Sequence, residues 1–358
     1  MQRKKTYKNL EKQQTFFIFA NENDNFSFLD NALITNIKDT KMNKDDILKL
    51  IQTNTGNNHI QLSNKNEFCI DDGVLTIILN ADATVAIMQS DEAAFEGWAI
   101  CIKSQLPEIV HNVILKWMKP EMQENDNKQL HYNRFLYRAL RFSELYEWFS
   151  ISENNITEIK DFQNTLTDLH NNSFSTNPKI KGVNAEKFKL SETIVEYLLA
   201  NDLSSTIKKR FNLDFVDRQF PVGVKQGKRQ FFTGGMSAID LWGTKDDILT
   251  IIELKYNGGK TQNITVGIIS EIFMYSCITR DIIRGLILKA DKTPNAHEQQ
   301  FYKNCKRYKH IVASMLSDKF HPLLENEKVL SIMNHQIVKE GDVDIRFDKT
   351  TYKLMTMI

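Results

Sequence analysis

Apolar positions along the chain recur at two different spacings. A spacing of two predicts strands at GVLTIILNADATVAIMQ (73–89) and GWAICIKS (97–104). Spacings of three and four predict helices at LPEIVHNVILKWM (106–118) and NRFLYRALRFSELYEWF (133–149). From residue 183 the order sharpens. SETIVEYLLAND (191–202) reads as a helix with Ser191 as N-cap, Glu192 in the first turn, and Ile194, Leu198 and Leu199 as its apolar stripe. DFVDRQFPVG (214–223) reads as a strand ended by Pro221, and KQGKRQ (225–230) as a basic loop. FFTGGMSAIDLWG (231–243) and ILTIIELKY (248–256) read as the strands of a hairpin separated by the turn formers TKDD. After a glycine-rich break, NGGKTQN, comes a helix apolar on most sides, ITVGIISEIFMYSCIT (264–279), and IIRGLILKA (282–290) reads as a closing strand. The expected class is α+β, with the C-terminal order helix, three strands, helix, strand.

At 358 residues the chain is long enough for two hydrophobic cores. The polar stretch HNNSFSTNPKIKG (170–182), which contains Pro178, is the expected linker. It divides an N-terminal α+β domain, residues 1–175, from a C-terminal domain, residues 176–358. Charge follows the same division: residues 1–175 carry 18 basic against 24 acidic residues, and residues 176–290 carry 17 against 12. The overall balance of +1 names no partner. Cys69, Cys101, Cys277 and Cys305 lie far apart with no CxxC pair, which argues against a disulfide framework or a zinc ribbon and fits a reducing cytoplasm. FFIFA, near the basic start, is too short for a signal-peptide core, and no later run has the length of a membrane span, so neither export nor a membrane is expected. His59, His111, His131 and His170 occur singly and read as ordinary structural or surface histidines.

ILTIIELKY would pass for a wholly buried strand if it lacked Glu253 and Lys255. A buried ionised group without a partner costs several kcal/mol, so something nearby must compensate these two. If Gly243 pairs with Ile248, Asp240 lies opposite Ile251 and diagonal to Glu253, on the face from which Lys255 also projects. The rest of that face is apolar, formed by Ala238, Leu249 and Ile251. A loop of odd length would split the charges across the sheet. Two carboxylates and one ammonium leave a negative excess. A hard divalent cation resolves it, since Mg²⁺ binds through one or two carboxylates, keeps several waters and completes its shell with phosphate. The plain alternative is a structural ion pair between Lys255 and either acid.

Asp240 follows Ile239 on an apolar strand, and twelve residues separate it from Glu253-Leu254-Lys255, which a helix then follows. This pattern, with its element order, resembles the PD-(D/E)XK nuclease superfamily over about residues 185–290. The proline of the family's motif is absent, with Ile239 in its place. The resemblance implies a restriction-endonuclease-like αβββαβ core with a central mixed sheet. It also implies Mg²⁺ or Mn²⁺ held by Asp240, Glu253 and the backbone carbonyl of Leu254, with Lys255 orienting or deprotonating the attacking water. Many members add a Glu from the first helix, here Glu192 or Glu196. Some carry Gln-x-x-x-Tyr on the helix after the lysine strand. Glu271 and Tyr275 have that spacing with Glu substituted, and residues so spaced share a helix face. Glu192 and Glu196 also have a plain reading as helix-surface acids, and Tyr275 as core.

The implied activity is metal-dependent hydrolysis of DNA phosphodiester bonds, in settings such as restriction, phage defence or repair. An RNA nuclease of the same fold, or an inactive nuclease-like nucleic-acid-binding or scaffold protein, are the alternatives. Lys208, Lys209 and Arg210, with Lys225, Lys228 and Arg229, form two basic runs that suit a polyanion track, although such runs are also common in solvated turns. Trp242 and Tyr256, at the strand ends, are candidates for base stacking or core. Many such nucleases cut as homodimers, and that option stays open.

Overall fold

The structure is a computed structural model that describes residues 15–19, 41–122, 127–172, 191–233, 237–258, 265–289, 296–337 and 342–356. Most of the expected linker, residues 173–182, lies outside the described residues. After a short strand β1 (Thr15–Phe19), helix α1 (Lys44–Thr55) starts at Asn43, whose side chain takes the Asp45 and Asp46 N–H groups. Asp46 returns a bond to Asn43, and the helix ends at Gly56 with φ of 63°, which glycine adopts without strain. Strands β2 (Asn66–Asp71) and β3 (Val74–Leu79) form a hairpin across Asp72 and Gly73, whose φ values of 45° and 74° match the twist of the strands. Then come α2 (Ala81–Val85), α3 (Phe95–Gln105), β4 (Asn112–Trp117), α4 (Asn127–Leu145), β5 (Phe149–Ile151), α5 (Glu153–Asn164) and β6 (Leu169–Asn171). Strands β2-β3-β4-β5 make a four-stranded sheet in which β3, β4 and β5 run parallel.

Two expectations for this part are overturned, and a third holds over only part of its length. The run 97–104 is not a strand but the body of α3. Trp98, Ile100 and Ile102 are spaced by two, yet the helix is buried on nearly every side, so its apolar residues show no helical stripe. The run 106–118 is not a helix. It contains β4, whose Val113, Leu115 and Trp117 face the core in strand alternation once β3 offers a parallel edge. Within 73–89 only β3 is extended, because Asn80 caps α2 by accepting the Ala83 N–H at 2.8 Å.

The second half holds α6 (Glu192–Ala200), α7 (Ser204–Phe211), β7 (Phe215–Pro221), β8 (Val224–Gln226), β9 (Arg229–Gln230), β10 (Ala238–Lys245) and β11 (Ile248–Lys255). It continues with α8 (Gly267–Ile283), α9 (Ala296–Asn304), β12 (His310–Ser317), α10 (Lys328–Asn334) and β13 (Asp344–Thr356). The basic stretch 225–230 is a small hairpin, β8–β9, that pairs with β6. The closing strand expected at 282–290 is absent. Helix α8 continues to Ile283 and a turn follows, in which Leu288 bridges His170; the strand that pairs with β11 is β12. The six-stranded mixed sheet runs β1-β13-β12-β11-β10-β7, with β11, β12 and β13 parallel and the rest antiparallel. Helices α6 and α7 cover one face over Leu241, Ile252, Leu254 and Leu316. Helix α8 covers the other, over Ile251, Ala313 and Met315.

Helix α8 is buried along its whole length because α3 and α4 close over its outer side. Glu96 of α3 is buried against Arg138 of α4, with Nε to Oε1 at 2.7 Å, and also accepts the Ser270 hydroxyl of α8 at 2.8 Å. Asp281 of α8 accepts Tyr137 and Arg141 of α4 at 2.8 and 2.6 Å. One apolar cluster therefore runs without a break from Met42 to Phe347. Among the described residues no helix is long and apolar enough to cross a membrane. The start of α8 touches backbone directly: a Cβ on Gly267 would stand 2.1 Å from the Gln89 carbonyl oxygen.

Alanine in place of glycine inside a helix ordinarily gains up to about 1 kcal/mol. At Gly267 the contact outweighs that gain. Gly267→Ala is expected to destabilise the protein by about 1–3 kcal/mol, read from the urea midpoint; an unchanged or raised midpoint contradicts the close approach.

Candidate active site

The β10–β11 hairpin turns at Asp246–Asp247, with Lys245 paired to Ile248. Strand pairing thus runs through Thr244 and Lys245, and the register differs by two residues from the one expected: Ile251 faces Trp242, not Asp240. A shift of two preserves the face. The ladder ends at Leu241–Ile252, and one residue further on Asp240 comes level with Glu253. There the strands part, and Asp240 Oδ2 accepts the Leu254 N–H at 2.8 Å in place of a backbone carbonyl.

Glu253 is buried, and its Oε1 takes the Lys255 ammonium at 2.7 Å. Lys255 also reaches Glu271 Oε2 at 2.8 Å, one turn along α8 from its start. Glu271 Oε1 in turn accepts the side-chain amide of Gln89, from the segment after α2. Glu253 Oε2 is buried with no hydrogen-bond partner among the described residues. Burial holds the carboxyls of Asp240 and Glu253 well above the usual range; Lys255 opposes this for both, and Asp240 reinforces it for Glu253. Burial pulls the Lys255 ammonium down, but Glu253, Glu271 and Asp240 outweigh it, so the proton is held more tightly than in water. Tyr275 is buried beside the same acids, and burial, with Glu271 and Glu253, pushes its hydroxyl up.

Helix α6 adds two more acids. Glu192 accepts the Tyr256 N–H at 3.2 Å. Glu196 is buried, accepting Gln219 at 2.8 Å and Arg218 at 3.4 Å, and burial pushes it up to about 7 against the pull of Arg218. The site opens into a cleft of about 450 Å³ at the carboxyl ends of β11 and β12, bordered by Lys255, Tyr256, Ser317, Lys319, Glu192 and the Ile87–Ser90 segment. Crevices at the carboxyl ends of parallel strands are where α/β sheets bind ligands.

Asp240, Glu253, Lys255 and Glu271 are therefore gathered, with Tyr275 behind them and Glu192 at the rim. Leu254 presents its N–H to Asp240, and its side chain packs into the core on the α6 face. The basic residues are elsewhere. Lys208, Lys209 and Arg210 form the last turn of α7, Lys225, Lys228 and Arg229 lie on β8–β9, and none of the six lines the cleft. Arg210 reaches Thr350 at 2.8 Å, and Gln226 fixes the hairpin to the Thr165 and Thr167 carbonyls. Trp242 is core, packed on Phe215, Phe220 and Phe301, whereas Tyr256 lines the cleft. Gln89 and Lys319 carry no sequence signal. Gln89 is one amide among many, and Lys319 follows a strand whose place was misread.

Among the described residues no three His, Cys, Asp or Glu side chains form a group placed to hold a metal ion. Here Asp240 is turned to a backbone N–H, while Glu253 and Glu271 are turned to the ammonium. The donor set nonetheless suits a hard cation: oxygen ligands, a negative excess, and one buried carboxylate oxygen left over. No family model matches the chain, and neither the curated proteins nor the solved structures include a match.

A carboxyl raised from 4.5 to about 7 favours the folded state below pH 4.5 and loses that contribution as pH rises through 7. The shift corresponds to about 3 kcal/mol. In EDTA, the stability of Glu196→Gln relative to wild type should therefore rise by up to about 3 kcal/mol between pH 4.5 and pH above 7. Urea melts at several pH values measure this, and parallel stability curves contradict it.

Proposed function

We propose that this chain is a Mg²⁺- or Mn²⁺-dependent nuclease of the PD-(D/E)XK type, hydrolysing phosphodiester bonds of DNA. The observation that carries this reading is the convergence of Asp240, Glu253 and Lys255 where β10 and β11 part, with Lys255 lining the cleft beyond. Support also comes from the order α6, β7, β10, β11, α8, β12: a helix, three antiparallel strands, a crossover helix and a strand parallel to β11. That is the order of the restriction-endonuclease-like core.

Asp240, Glu253 and the Leu254 carbonyl would hold the cation. When bound, a divalent ion supplies a polarised phosphoryl oxygen and a bound water acidified toward neutrality. To hold it, Asp240 would exchange its bond from the Leu254 N–H, and Glu253 would share its carboxylate between the cation and Lys255. Glu271, held by Gln89, keeps the ammonium in place meanwhile. Paired with Glu253 and Glu271, the Lys255 ammonium holds its proton more tightly than in water, and it would donate to a phosphoryl oxygen as charge builds there. Glu192, at the rim, is placed to orient a water.

Purified protein is expected to cut DNA with Mg²⁺ or Mn²⁺ and to be inactive in EDTA. Asp240→Asn and Glu253→Gln should each lower turnover by about a hundred- to a thousandfold or more. Stability separates this reading from a structural ion pair. Glu253→Gln removes a buried, over-crowded carboxylate while Lys255 keeps Glu271, so its melting temperature should equal or exceed that of wild type. Lys255→Met strands two buried carboxylates and should cost about 3 kcal/mol near neutral pH. Full activity in EDTA, or unchanged turnover in Glu253→Gln, rules the nuclease out; faster cutting of RNA than DNA in parallel assays assigns the RNA alternative.

A further inference from the structure

We propose that the substrate strand is single-stranded DNA, laid past the carboxyl ends of β11 and β12 and across β13; this rests on the nuclease reading above. The cleft at Lys255 adjoins a second hollow of about 280 Å³, and the two share Lys319 and Phe320 as a common wall. Together they run past the ends of β11 and β12 and over β13 at Thr351–Lys353, within that strand. Each strand brings a lysine: Lys255 closes β11, Lys319 follows β12 by two residues, and Lys353 lies on β13 two residues past the Ser317–Thr351 pair. Adjacent strands are about 4.8 Å apart, so the three ammoniums are spread over a path of a few nucleotides. Lys319 and Lys353 are exposed. The neighbouring carboxylate of Asp318 is occupied by the N–H groups of Asn257 and Gly258, at 2.9 and 3.0 Å.

The surfaces between the lysines suit bases and not a second strand. Tyr256 and the imidazole of His321 line the cleft, the largely buried Phe320 contributes to its wall, and Ile87, also on the lining, stands 61% exposed. Cations along a groove with ring faces between them bind a single strand through phosphates and stacking, whatever its sequence. Lys255 is recessed, with 26% of its side chain exposed, between the Ile87–Ser90 segment and the β12 end. Kinking a duplex so that its phosphates follow this recess carries a deformation cost, which an unpaired strand escapes.

The test compares one labelled oligonucleotide with its blunt duplex, on the full chain, by fluorescence anisotropy with Ca²⁺ replacing Mg²⁺. The single strand should bind at least about tenfold tighter. Tyr256→Leu should weaken single-strand binding by about tenfold. Lys319→Ala and Lys353→Ala, both at exposed positions, should each weaken it and each reduce the salt slope by about 0.7. With Mg²⁺, a duplex carrying an unpaired tail should be cut in the tail alone. Equal or tighter binding of the duplex, or full single-strand affinity in both lysine variants, overturns the proposal. Cutting inside a blunt duplex also overturns it and leaves the nuclease reading standing. Single-strand preference without hydrolysis of any DNA does the reverse.

Discussion

The ammonium of Lys255 stands among three carboxyl groups, those of Glu253 and Glu271, which are buried, and that of Asp240, which is half-buried. One ammonium does not balance three carboxyl groups, and those of Asp240 and Glu253 are held well above their usual range. Such an arrangement is a poor source of stability, since taking each charge out of water costs several kcal/mol and the pairing returns only part of it. An apolar side chain at position 253 would serve the fold better, because its neighbours Ile251, Ile252 and Leu254 already fill a fully buried strand. The sheet carries the imbalance at the point where β10 leaves β11, the one place along the hairpin where a backbone N–H and a carboxylate are free to meet.

Holding that imbalance in place takes more than the sheet. Helix α8 presents Glu271 to the lysine and is fixed on its outer side by Glu96, Arg138, Arg141 and Tyr137 from the first half of the chain. Gln89 extends the same support into the site itself, bonded to Glu271 while its carbonyl accepts the Thr265 hydroxyl at 3.0 Å. Gly267 allows that approach because it has no Cβ. Gln89 and its neighbours from the first half of the chain thus form one wall of the cleft and help set the position of Lys255.

What could be read from residues alone follows from how locally each feature is determined. The hairpin and α8 were legible because their spacing and turn formers sit next to each other in sequence. Asp240, Glu253 and Lys255 stood out because charge inside an apolar run is rare. The register differs by two from the one the turn formers TKDD suggest, because Thr244 and Lys245 continue the strand and Asp246, at φ of 53°, makes the turn with Asp247. The α3 and β4 assignments failed for a non-local reason, since burial on all sides erases a helical stripe and a neighbouring strand can extend a segment spaced for helix. β12 was displaced from 282–290 to 310–317 for a similar reason: the apolar residues of 282–283 finish α8, and Ile287 packs into the core from a turn. Gln89 and Lys319 reach the site only through tertiary packing.

The central claim is that the surplus carboxylate charge is a site for a divalent cation. Calorimetric titration of the full chain with Mn²⁺, repeated in buffers of different ionisation heat, tests it most directly. The account predicts a bound ion accompanied by proton release, as carboxyls held above their usual range give up protons to the metal, and loss of both in Glu253→Gln. Absence of binding at millimolar Mn²⁺, or identical binding in Glu253→Gln, contradicts it.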